Sequence, residues 1–332
     1  MNYNKVVYAT THNSYAVVGT MVAANHFKSI QQSLEQGVRA LMLDVHFSDD
    51  TKSKIALCHA DCSTGAVEVD AIFDTIATFI DNYPENVLTI IWETTCTGEE
   101  DCTALKHMLY NVVGQSRLAN MLYAPERLGS PWHTLREMVD KNKKIVQFFD
   151  RGPFERQWDL NMWDHFIETP YDNKDKKDLD VECTFFRGTP DNQEKLFLNN
   201  HVTLMGLVPM PLITVEYNTN PYMYDRIIRC QRELGKTVTN FIVVDHWWYS
   251  DVIETVACLN GEDDVRTCQS ADMIRNIKNV TIFLLGGCIG ILVIYCGVEL
   301  YYRLLKQKPP AASPVKIESH PLLHGVSMEG CY

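Results

Sequence analysis

The chain has 332 residues, 46% hydrophobic and 22% charged, enough apolar material for a core, which excludes wholesale disorder. Thirty basic against forty-two acidic residues leave a net charge of −12, which argues against a nucleic-acid partner because phosphate binding needs a basic surface. Eleven cysteines are too few for a small disulfide scaffold and too many to be incidental. The N-terminus starts almost directly on an apolar strand, without the basic region and apolar stretch of a signal peptide. From there to residue 260, short apolar runs alternate with longer amphipathic stretches, the pattern of an α/β fold. Strands are predicted at 6–10, 40–45, 54–58, 86–92, 143–149, 195–199 and 241–245, with helices such as 29–38, 71–83 and 220–235 between them. The stretch 150–194 is long and irregular.

The chemistry stands at the C-terminal ends of these runs. His12 and Asn13 follow the first, Asp44 and His46 end the second, and His59 follows the third. Glu93 follows the fourth, Asp150 and Arg151 the fifth, His201 the sixth, and Asp245 and His246 close the seventh. In a (β/α) barrel those ends converge on one face, where active sites are built. Two histidines with carboxylates suit proton transfer near neutral pH, and Asn13, Asp44 and Glu93 are hard oxygen ligands for Ca²⁺ or Mg²⁺. No GxSxG elbow, P-loop or GxGxxG turn is present, so serine-hydrolase, NTPase and dinucleotide readings lose their main support.

Residues 280–298 run nineteen positions without a charge, flanked by Lys278 and Glu299, which nearly crosses a hydrocarbon core of roughly 30 Å. A transmembrane helix is predicted over 280–302, with Tyr301 and Tyr302 at an interface and Arg303, Lys306 and Lys308 beyond it. Gly286 and Gly290 form a small-xxx-small pair through which two copies would pair as a homodimer. The predicted organisation is a barrel over 1–262, a juxtamembrane linker over 263–279, the spanning helix, and a disordered tail over 303–332. The tail carries four basic and two acidic residues, so the acidity belongs to the barrel. Eight cysteines precede the span, in close pairs Cys58 and Cys62, Cys96 and Cys102, Cys258 and Cys268, with Cys183 and Cys230 as a fourth candidate pair. A zinc reading lacks a second CxxC or HxxxH element; disulfides in an exoplasmic or lumenal barrel, with a cytoplasmic tail, compete with free cytosolic thiols.

The segments ATTHNSYA (9–16), QGVRALMLDVH (36–46), LCHADC (57–62) and FIDNYPENVLTIIWE (79–93) resemble the X-domain family of phosphatidylinositol-specific phospholipases C, members of the PLC-like phosphodiesterase superfamily. WHTLREMVDKNKKIVQFFD (132–150), WDHFIETPYDN (163–173) and NFIVVDHWW (240–248) extend the resemblance, in order, across residues 5 to 260. It implies a distorted TIM barrel and cleavage on the diacylglycerol side of an inositol phospholipid, with His12 as general base, His59 as general acid and Asp245 orienting the base. The chain departs from both site types of the family. Met42 stands where calcium-dependent members carry a carboxylate, and His46 where metal-independent members carry arginine. The charge opposing the phosphate is therefore either a cation on Asn13, Asp44 and Glu93 or a protonated His46. Arg151, Tyr171 and Arg187 are candidate head-group contacts, and residues 246–249 a candidate rim at a lipid interface. His26, His107, His133 and His165 are read as solvated or packed. A catalytically weak lipid-head-group-binding protein, and a phosphodiesterase for glycerophosphodiesters or sphingolipids, are the competing functions.

Overall fold

The computed structural model describes residues 1–269 apart from 23, 60, 127–128, 182, 191–193 and 204–210. The predicted span over 280–302, its Gly286/Gly290 pair and the tail lie outside the described residues, as does most of the predicted linker. Among the described residues no helix is long and apolar enough to cross a membrane.

Nine strands are described: β1 (Tyr8–Thr11), β2 (Ala40–Phe47), β3 (Ile55–Leu57), β4 (Leu88–Thr94), β5 (Ile145–Phe149), β6 (Leu160–Asn161), β7 (Phe166–Glu168), β8 (Leu196–Asn200) and β9 (Phe241–Val244). The sheet runs β6-β5-β4-β2-β1-β9-β8-β7 with each adjacent pair parallel, which is the cyclic chain order of a (β/α) barrel. Among the described residues β6 and β7 do not pair, so the parallel sheet is an opened, distorted version of that barrel.

Two of the eight parallel strands, β6 and β7, fall inside the irregular stretch 150–194, and at two and three residues they are too short to show a strand period. The predicted strand at 54–58 is β3, which is no barrel stave. It folds back antiparallel on the end of β2, with Val45 opposite Leu57 and His46 opposite Ala56. Because it runs back along β2, His59 still arrives beside the strand ends.

Alternation along each stave sorts its side chains. Leu41, Leu43, Val45, Ile90, Trp92, Ile242 and Val244 face the helices, in the same apolar cluster as Ile72, Phe73, Ile76 and Ile80 of the helix Val69–Asn82. Tyr8, Ala40, Ile91, Phe148, Phe166, Leu198, Phe241 and Val243 form a second cluster inside the sheet. Tyr3 plugs that interior, its hydroxyl bonded to Thr89 at 2.6 Å and its ring against Tyr8 and Trp132.

All four predicted cysteine pairs are disulfides: Cys58–Cys62, Cys96–Cys102, Cys183–Cys230 and Cys258–Cys268. The first closes a loop of four residues' separation that contains His59. The same loop is pressed on the segment after β1: Val22 donates its backbone N–H to Thr64, and a Cβ on Gly65 would lie 2.4 Å from the Thr20 carbonyl oxygen. Gly65 also has φ +138°, a region side chains avoid. Gly65→Ala is expected to destabilise the protein by at least about 1–3 kcal/mol. Gly114→Ala, in a helix with open space around it, should instead stabilise by about 0.5–1 kcal/mol. Urea unfolding midpoints of the two variants check both signs.

Candidate active site

The interior face of seven of the eight staves, all but β6, ends in a polar residue. Continuing the alternation past the apolar cluster brings His12, Asp44, His46, Glu93, Asp150, Glu168, Asn200 and Asp245 to the inner face at the C-terminal mouth. His12 Nδ1 lies 3.1 Å from Asp245 Oδ1, joining the ends of the paired strands β1 and β9. Asp245 is 1% exposed, whereas the His12 side chain is 21% exposed and so reachable from the mouth. Burial disfavours a charged His12, but the charge and hydrogen bond of Asp245, with Asp44 and Glu93 behind, outweigh it and raise the ring from 6.5 to about 9. The same contact, with a bond from Asn25, holds Asp245 below the usual carboxylate range despite its burial.

Asp44 and Glu93 are register partners on the parallel strands β2 and β4. Tyr15 donates its hydroxyl to Asp44 at 3.1 Å. Asn13 has a positive φ of 43°, which swings its amide back over Asp44; with the nitrogen inward it donates at 2.9 and 3.1 Å. Neither carboxylate forms an ion pair among the described residues. Burial and the Glu93 charge push Asp44 up, and burial and Asp150 push Glu93 up. Asp150 is better supplied, accepting from the Thr94 backbone at 2.8 Å and the Thr94 hydroxyl at 2.5 Å. Glu168, 1% exposed, is paired with Arg187.

His46 is 7% exposed, and burial together with neighbouring His59 lowers its pKa, so its ring is held toward the neutral form. His59 is half-buried, inside its disulfide loop. Tyr171 is exposed at the mouth, with Phe186 edge-on to it and the Arg187 guanidinium 4.7 Å from its centroid. Arg151 and His201 each sit one position past an inward residue. Arg151 is exposed, pairs with Asp150 at 3.3 Å and lines an outer groove with Gly98, Glu99 and Cys102. His201 is fully buried behind the sheet, between the Tyr217 carbonyl at 2.8 Å and Arg226 at 3.1 Å, and burial beside that cation lowers it to about 3. Of the predicted rim, His246 and Trp247 are buried and Trp248 is exposed.

The family model for PI-PLC X matches residues 1–260. The chain belongs to the PI-PLC X family. PI-PLC X domain-containing protein 1 of Arthroderma benhamiae is 25% identical over 277 residues, 78% of this chain and 86% of that protein. A PI-PLC X domain-containing protein of Arabidopsis thaliana is 23% identical over 308 residues, 84% and 68% of the two chains. Among solved structures, the phosphatidylinositol-specific phospholipase C of Listeria monocytogenes matches with TM-score 0.53 at 13% identity, covering 78% of this chain and 94% of that one. A double mutant of the Staphylococcus aureus enzyme matches with TM-score 0.54 at 15% identity, covering 78% and 93%. At such identities these neighbours show a shared fold.

Several residues of this PI-PLC X site are not visible as candidates in the sequence. Glu168 ends a stave too short to predict, Tyr15 lies within ATTHNSYA (9–16) without an assigned role there, and Asn25 lies in a loop without a motif. His26, read as packed or solvated, is 1% exposed, and its Nε2 donates to the His12 carbonyl oxygen at 2.6 Å. Burial drops the His26 ring to about 4, which keeps it neutral. Asp245→Asn removes the main charge that raises His12, so burial then prevails over the weaker pull of Asp44 and Glu93. The His12 pKa is expected well below 9, and an NMR titration of the ring protons reads it; an unchanged value would contradict the assigned partner.

Proposed function

We propose that this chain is a phosphoric diester hydrolase/lyase that cleaves inositol phospholipids or glycosyl-inositol lipids on the diacylglycerol side of the phosphate. The observation that carries the reading is the pair of His12 and Asp245: a partly open imidazole tied at Nδ1 to a buried carboxylate, with Nε2 left for a substrate proton. The inositol 2-hydroxyl gives its proton to His12 as its oxygen bonds to phosphorus. The bond from phosphorus to the diacylglycerol oxygen breaks, and His59 protonates that oxygen, releasing diacylglycerol and a cyclic inositol phosphate. Membership of the PI-PLC X family supports the chemistry. The bacterial neighbours are named as phosphatidylinositol-specific phospholipases C, which supports the substrate class.

The mouth is crowded with carboxylates, and the phosphate needs a counter-charge. A neutral His46 is poorly suited to supply it. Asn13, Asp44 and Glu93 fit Ca²⁺ or Mg²⁺: all three donors are oxygens, and the two carboxylates crowd each other without an ion pair among the described residues. With its amide turned the other way, Asn13 would aim its carbonyl oxygen at Asp44, an arrangement that a shared cation stabilises. Met42 packs against the inner apolar cluster and adds no ligand. When bound, such a cation would stabilise negative charge on the phosphate.

The approach to lipid is proposed through the loops after β1 and β9, adjacent strands whose loops expose Val18, Val22, Phe27 and Trp248, with the Lys28 ammonium 4.7 Å from the Trp248 ring. Four disulfides support an oxidising, exoplasmic or lumenal compartment for the barrel.

Phosphatidylinositol is expected to yield diacylglycerol and cyclic inositol phosphate, with His12→Ala and His59→Ala each slower by about 10²–10⁴. Equal product from wild type and both variants would refute the assigned roles. In EDTA the rise of kcat/KM with pH should continue to about 9, because Asp245, Asp44 and Glu93 together hold the His12 proton. A cation that neutralises Asp44 and Glu93 should move this rise to lower pH, and a profile that ignores both Ca²⁺ and Mg²⁺ would contradict the cation site.

A further inference from the structure

We infer that Asn25 and His26 are positioning residues that set the ring of His12, Asn25 through the Asp245 carboxylate and His26 through the His12 backbone carbonyl. The inference rests on the reading of His12 as the base.

Both residues are 1% exposed; each engages its N–H donor, while Asn25 Oδ1 and His26 Nδ1 have no hydrogen-bond partner among the described residues. Asn25 Nδ2 donates to Asp245 Oδ1 at 2.7 Å, the same oxygen that faces His12 Nδ1 at 3.1 Å. Two donors on one carboxylate oxygen restrict rotation of the group, so Oδ1 is held in the direction the ring requires. His26 acts on the backbone of the same residue. A carbonyl oxygen only accepts, so the 2.6 Å contact to His12 O puts the His26 proton on Nε2 and fixes its tautomer.

The dipeptide is itself anchored. The backbone N–H groups of Asn25 and His26 both donate to the Ala16 carbonyl, at 2.9 and 3.0 Å, and Val18 N–H donates to His26 O at 2.9 Å. His246 N–H donates to Asn25 O at 2.8 Å, and His246 holds a left-handed φ of 48° as the chain turns there. Residues 25 and 26 are thus bonded to the loop that carries His12 and to the residue after Asp245. They join the two loops whose relative position determines the geometry of the pair. Simple core filling would not require hydrogen bonds to both members.

A double-mutant cycle on the full chain separates positioning from general stabilisation. On phosphatidylinositol, Asn25→Ala is expected to lower kcat by about 10–100-fold, the scale of groups that orient a reacting side chain, with KM little changed. In an Asp245→Asn background the same substitution should cost almost nothing more, because the carboxylate it orients is gone. His26→Ala should lower kcat, and His26→Gln, which keeps an N–H donor, should recover most of that loss. An equal loss from Asn25→Ala in both backgrounds, or equal loss in both His26 variants, overturns the inference. A substrate-free measurement keeps it apart from the proposed function. In ¹⁵N-histidine spectra the hydrogen-bonded Nδ1 proton of His12, identified by its loss in His12→Ala, should vanish or move in Asn25→Ala. If that proton is unaffected the inference fails, whether or not wild type cleaves a lipid; if wild type cleaves none but the proton responds, only the reaction is wrong.

Discussion

The mouth of this barrel gathers carboxylates on one face. Asp44, Glu93, Asp150, Glu168 and Asp245 all continue the inward alternation of parallel strands, and register brings Asp44 beside Glu93. Like charges this close raise one another's pKa unless each finds a donor. Asp245 has His12 and Asn25, Asp150 has Thr94 and Arg151, and Glu168 has Arg187. Among the described residues Asp44 accepts only from the neutral donors Tyr15 and Asn13. The acidity of the sequence is therefore concentrated, at the mouth, around a carboxylate pair with no ion pair among the described residues, and the proposed cation follows from it, whereas the raised basicity of His12 comes first from Asp245.

A mouth with this much internal repulsion needs loops that do not drift. The His59 segment is closed by Cys58–Cys62 and wedged at Gly65 against Thr20 and Met21. The His12 segment is bonded to Asn25, His26 and, through them, to residue 246. Further round, Lys106 is buried against Asp159 at 2.7 Å and donates to the Arg151 carbonyl, tying the chain after β5 to the helix Gly98–Gln115. The constraints act on backbone as much as on side chains, which suits a site whose residues come from strand ends rather than from one motif.

Much of this was legible in the chain. The α/β pattern, the seven apolar runs and the titratable residues after them were enough to place His12, Asp44, Glu93 and Asp245 at one face. The period of two carried more than was read from it: within Asp150–Arg151 and Asp245–His246 the first residue faces inward and the second outward. His201 fails for the same reason, one position past the inward Asn200, and becomes a buried partner of Arg226. β6 and β7 could not be read, since two or three residues hold no periodicity, and Glu168 was missed with them.

The sequence by itself determined six of the eight staves in their order, the residue types at their ends, the three close cysteine pairs and the family resemblance, because all of these are local patterns along the chain, while Cys183 and Cys230, 47 residues apart, pair only as the two left over. Only the tertiary structure decided that β3 folds back on β2, that β6 and β7 do not pair among the described residues, and that Asn25 and His26 reach His12 and Asp245. Those contacts join segments up to 220 residues apart, as with Asn25 and Asp245, and no local pattern encodes which distant donor a buried acceptor will find. The charge of the mouth is of the same kind: composition supplies the acids, but strand register decides which two must share a space.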